Sequence, residues 1–249
     1  MRTNWRNQRR ILNYITSNER FKIIFVMSIV LAVYGGVGLG ISSGNYLDSI
    51  LSCFTFNVFN VFMIALLFLN TLNTCSIFDK EFSFYTIRLE NKRNYLKQVI
   101  KTVLLVNLFY LLIFFLLYFM ALNIFNFGQL NIYKFMNYNV TNLTYMIFYM
   151  VRFIVISMII CSLSALIFIN FKERIMIMFN FVFMAGFMVN FAYDANKTFS
   201  ILPWHYYEIM RYPSFMTEIS YSLLFIFILE VIYAIIYNFT IKNKRLVIS

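Results

Sequence analysis

Unbroken apolar runs of about 20 or more residues recur along this 249-residue chain, and they constrain its fold more than any other feature. A run of that length matches the thickness of a bilayer's hydrocarbon core when wound as an α-helix. In lipid every backbone polar group must be paired internally, which leaves helical bundles and closed barrels. A barrel would show short alternating segments, and these runs do not alternate. With 61% hydrophobic residues and only 12% charged ones, a soluble domain of this size could not cover its apolar surface. The sequence therefore predicts an all-α polytopic membrane protein, one transmembrane domain over residues 1–249.

Six spans are predicted, at about 21–41, 50–74, 102–125, 144–170, 175–193 and 217–239. Residues 1–20 read as an interfacial helix, with Trp5, Gln8, Leu12 and Ile15 on one side and Arg2, Arg6, Arg9 and Arg10 mostly elsewhere. Lysine and arginine set the orientation. Six lie in the N-terminal stretch through Lys22, six in the 78–101 break, two at 171–174 and three in the tail, against only Lys134, Lys197 and Arg211 on the other side. That imbalance predicts both termini in the cytoplasm. It also assigns the net charge of +11 to topology and not to nucleic-acid binding.

Within the spans, Gly36 and Gly40 form a GxxxG pair, a spacing that lets two helix backbones approach closely and is compatible with a homodimer. Asn57, Asn60, Asn70 and Asn73 of the second span are read as packing residues bonding across helices. Segment 194–216 contains Pro203-Trp204-His205-Tyr206-Tyr207 and Pro213. It is expected to form a re-entrant helical hairpin closing the outer face. Arg152 and Glu230 are the charges deepest in apolar runs, where an unpaired charge costs upward of about 2.5 kcal/mol. Their depths differ by roughly 7 to 8 Å at the helical rise. The expectation is a buried pair joining spans 4 and 6; the alternative is that each faces a hydrated cavity.

No catalytic constellation and no metal-ligand spacing is visible. The chain has no glycine-rich phosphate loop. Its single histidine, His205, lies next to Trp204 on the predicted outside, and Cys53, Cys75 and Cys161 show no CxxC spacing. An enzyme is not expected, and the energy for any transport must enter from another protein.

The charged break at 78–101 is where that entry is expected. Phe78, Phe82, Tyr85 and Leu89 fall on one helical stripe, and Asp79, Ser83, Thr86 and Glu90 on the next. Glu81-Phe82-x-x-x-Thr86-x-Arg88-Leu89, followed by Arg93 and Lys101, resembles the first cytoplasmic loop of ABC-2-type permeases, with Tyr85 where a glycine often precedes the threonine. The resemblance implies a coupling helix in which Asp79, Glu81, Phe82, Thr86 and Arg88 contact a cytoplasmic ABC ATPase. ATP and Mg would be bound by that partner and not by this chain. It further implies a second permease, a copy or a relative, in a bacterial cytoplasmic membrane. The small aromatic-rich permeases it looks most similar to are exporters of amphipathic peptides, including antimicrobial-peptide and phenol-soluble modulin systems.

Overall fold

The apolar runs are helices in the computed structural model, which describes residues 12–39, 45–55, 57–81, 92–125, 131–135, 138–192 and 212–242. Helix α1 covers 12–17 and ends at Asn18, whose backbone is extended (φ −66°, ψ 135°). The Asn18 side chain accepts a hydrogen bond from the Arg20 amide at 2.9 Å. It thus caps α2 (Glu19–Tyr34), and Glu19 adds a favourable charge at the positive end of the helix dipole. The N-terminal segment is therefore a separate helical piece from the first long helix. Residues 1–11 lie outside the described residues.

A π-helical turn, Gly35–Leu39, follows α2. Next come α3 (Tyr46–Thr55), α4 (Asn57–Glu81) and α5 (Lys92–Phe125). A two-residue antiparallel pair, β1 (Lys134–Phe135) with β2 (Val140–Thr141), precedes α6 (Asn142–Ala192) and α7 (Phe215–Lys242). Asn139 closes the small hairpin at φ 51°, a conformation asparagine tolerates better than most residues. Five of the described helices are long and apolar enough to cross a membrane.

One of the five is two antiparallel pieces. At Lys172 the backbone leaves helical geometry (φ 68°, ψ −175°). Ser164 Oγ donates to Asn180 Oδ1 at 2.9 Å, although 16 residues separate them. In a continuous helix those positions would be about 24 Å apart. The chain therefore folds back at Lys172, midway between the two, giving a first arm at 142–171 and a second at 173–192.

The second apolar run divides differently from expectation. Asn45 starts α3, its side chain accepting from the Leu47 amide at 3.2 Å, and the membrane-length stretch of α4 is Phe59–Asp79 rather than 50–74. The charged break is also shorter than the sequence suggested. Helix α4 continues to Glu81 and α5 resumes at Lys92, because lysine, arginine, glutamine and leucine extend helices readily and long basic side chains reach the headgroups from a helix end. Phe78, placed by periodicity on a separate coupling helix, is a buried residue of α4.

Helices α4 and α6 form the centre, each with 72% of its most apolar window buried, against 17% for α7. Aromatic rings fill much of the interior, for example Phe59 against Phe114 at 5.8 Å and Phe68 edge-on to Phe183 at 5.8 Å. Asn70 Nδ2 donates to Asn107 Oδ1 at 3.1 Å, and Asn107 Nδ2 to Thr71 Oγ1 at 2.8 Å, so of the four span-2 asparagines Asn70 bonds across helices as expected. Gly36 packs against α5: a Cβ there would lie 2.7 Å from Ala121 Cβ and 3.2 Å from the Leu122 nitrogen and the Tyr118 oxygen. The close approach permitted by the glycine is used within the chain. The expected dimer role of Gly36 is thereby corrected, since its own α5 already fills that face. Gly40 lies outside the described residues, as does nearly all of the expected 194–216 hairpin.

Candidate functional site

Two polar centres sit at opposite ends of the bundle. The first arm of α6 and α7 run parallel, tied at one end by Tyr145 and Arg152 to Glu218, and at the other by Asn170 Nδ2 donating to Thr240 Oγ1 at 2.6 Å.

At the end where α6 and α7 begin, Arg152 Nη1 donates to Glu218 Oε1 in an ion pair whose side chains are 1% and 0% exposed. The Tyr145 hydroxyl donates to the same oxygen at 3.0 Å. The guanidinium lies over the rings of Phe148 and Tyr149, with centroids at 5.3 and 5.1 Å, adding cation–π attraction in a dry setting. Ser214 caps α7, its Oγ accepting from the Thr217 amide at 3.2 Å, which puts Glu218 in the first turn where the helix dipole favours an anion. Tyr138 stacks edge-on against Tyr145 at 5.5 Å and donates its hydroxyl to the Tyr212 carbonyl at 2.6 Å. Burial, reinforced by the nearby Glu218 charge, raises the Tyr138 pKa.

The partner of Arg152 is thus Glu218, not Glu230. Helical side chains lean toward the N-terminus of their own helix, so Arg152 reaches toward the start of α6 and meets the first turn of the parallel α7. Glu230 lies twelve positions further along α7 and is exposed. Glu218 is the second residue of the predicted span 217–239, too near its end to count among the deepest charges. The available signal was its position as the acidic residue at the mouth of the last span, within reach of an arginine side chain that leans toward the start of its own helix.

Beside this pair, a second set of polar groups joins α3 to the strand pair. Tyr133 donates its hydroxyl to Asp48 Oδ2 at 2.7 Å, and Asn45 and Asn142 donate to the Asn131 carbonyl at 2.8 and 3.0 Å. Desolvation, with the Asp48 hydrogen bond and charge adding to it, pushes the Tyr133 phenol up to about 12.

At the opposite end, Lys172 Nζ donates to Asp79 Oδ1 at 2.9 Å, with both side chains largely exposed. The reversal of α6 is thereby tied to the last turn of α4. Glu81 ends α4. Phe82, Thr86 and Arg88 lie outside the described residues. Among the described residues no group of three or more His, Cys, Asp or Glu side chains is placed to hold a metal, and Cys75 and Cys161 are buried free thiols.

Comparison with known proteins gave no matching family model, no matching curated protein and no matching solved structure.

Proposed function

We propose that this chain is the membrane-spanning subunit of an ABC-type exporter, crossing a bacterial cytoplasmic membrane six times with both termini inside. A separate cytoplasmic ATPase drives it, through the loop between α4 and α5. The six crossings are the five membrane-length helices with α6 counted as two arms. The substrate class is an amphipathic peptide or lipid-like molecule entering from the membrane, and a second permease completes the complex.

The observation that carries this reading is the position of the loop. Residues 82–91 join the end of α4 to the start of α5, at the end of the bundle where Asp79 also holds the α6 reversal. That end is rich in lysine and arginine, the mark of a cytoplasmic face. A movement imposed on the loop would reach α4, α5 and both arms of α6 together. The sequence Glu81-Phe82-x-x-x-Thr86-x-Arg88, which resembles an ABC-2 coupling loop, supplies the contacts.

The test is reconstitution with candidate cytoplasmic ATPases, reading complex formation and peptide-stimulated ATP hydrolysis. The double variant Glu81→Lys with Arg88→Glu is expected to weaken ATPase binding by at least about tenfold, the equivalent of 1.4 kcal/mol. Binding that survives the double variant, or an absence of any bound ATPase, overturns the proposal.

A further inference from the structure

Glu230 poses a problem that the chain does not solve by itself. It lies fifteen positions after the first residue of α7 and twelve before the last, close to the middle of a membrane-length helix. It is exposed, and its neighbours on the outward side of α7, Leu223, Phe227 and Val231, are exposed apolar residues. A carboxylate facing hydrocarbon is among the most unfavourable placements a membrane helix can adopt, and such residues face a protein partner or a hydrated cavity.

Among the described residues, a second copy of this chain offers no mid-span cation to meet it. Arg152 is committed to Glu218 in the interior. The other described lysines and arginines lie at or within ten residues of helix ends, at the reversal of α6, or in the strand pair. Exposed side chains in the central turns of the other long helices are apolar, for example Met27 and Val30 on α2, Leu112 and Leu116 on α5, and Met178 and Phe181 on α6. Two copies meeting symmetrically through α7 would bring like charges together.

We infer that the outward face of α7 docks a transmembrane helix of a different polypeptide, one that presents a lysine or arginine at mid-span to Glu230. The surrounding apolar side chains supply the packing and the carboxylate supplies the selection, since a charge pair in low dielectric discriminates strongly between a matched helix and an uncharged one. Among the possible partners of a permease, this favours a related chain over a copy.

The experiment uses the full chain, fluorescently labelled in phosphatidylcholine vesicles, with no ATPase present. Its failure would therefore leave the loop-docking proposal standing, and the reverse holds as well. The probes are a leucine–alanine transmembrane peptide with one central lysine, and the same peptide without it. Energy transfer should show the lysine peptide associating at least tenfold more tightly, with Glu230→Gln reducing it to the level of the lysine-free peptide. Glu230 is on the outer surface of α7, so Glu230→Gln should keep the helical circular dichroism of the parent. Equal association of the two peptides overturns the inference. Self-association of the labelled chain that depends on Glu230 also overturns it, by pointing to a second copy. Glu230-dependent binding of a water-soluble cationic amphipathic peptide, without binding of the transmembrane lysine peptide, overturns it by pointing to a substrate contact.

Discussion

Arg152 and Glu218 are each buried with the other as counter-charge, so their contribution is asymmetric. Removing one leaves the other charged in a dry interior, and such losses run to about 3–5 kcal/mol. Arg152→Ala and Glu218→Ala should each fall in that range in detergent unfolding. Replacing both residues with leucine should recover most of the loss, because the desolvation cost disappears with the pair. Arg152→Ala combined with Glu230→Ala should instead be additive, since those residues do not touch. Gly36 admits no side chain for a different reason. Two of the three atoms that a Cβ would meet belong to the backbone of α5, which cannot step aside cheaply. Gly36→Ala should cost about 1–3 kcal/mol, the usual penalty for overpacking, read as a lower unfolding temperature. Tyr133 carries a pH signature. Its folded pKa, about 12, exceeds the ordinary value of 10, so its hydrogen bond to Asp48 contributes fully below pH 10 and fades between pH 10 and 12. The stability gap between the parent and Tyr133→Phe should close across that window and stay constant between about pH 7 and pH 10.

Among the elements, the reversal inside α6 decides the most. Lys172 holds a backbone conformation that glycine adopts freely and other residues occupy at a cost of about 1–3 kcal/mol. Its ion pair with Asp79 is exposed and worth at most about 1 kcal/mol. Lys172→Gly should therefore leave stability unchanged or raise it by about 1 kcal/mol, whereas Asn180→Leu should lower it by removing the bond that fastens the two arms; thermal unfolding in detergent reads both. The existence of the long helices was legible in the apolar runs, because length and hydropathy suffice to require them. The loop Phe171-Lys172-Glu173-Arg174 was legible too, from its charges alone. Helix ends were less so. Asn45 as a helix starter and the helical run from Lys92 to Lys101 depend on local hydrogen bonding and helix propensity, which charge clustering conceals. The true partner of Arg152 was hidden for a related reason. Depth along a span can be counted from sequence, but the lean of a side chain and the relative direction of two helices cannot be seen until the helices are packed. Gly36 shows the same gap: the spacing announces a close helix contact without saying whether the other helix belongs to the same chain.

Taken as a whole, the molecule has a tightly filled centre in α4 and α6 and an open flank at α7. The buried charge pair lies toward one end, and the exposed Asp79–Lys172 pair lies at the other. The helix reversal also bears on how the protein is made. The two arms of α6 are joined by a turn centred on one residue, and the Ser164–Asn180 bond satisfies polar groups that neither arm could leave bare in lipid. The arms therefore suit entry into the bilayer as a single hairpin, and in the proposed orientation Lys172 and Arg174 would stay behind as its anchor on the side of synthesis. A released chain truncated shortly after residue 174 should hold the first arm less firmly than one extended through residue 192, which glycosylation-site mapping of the two truncated chains would read directly.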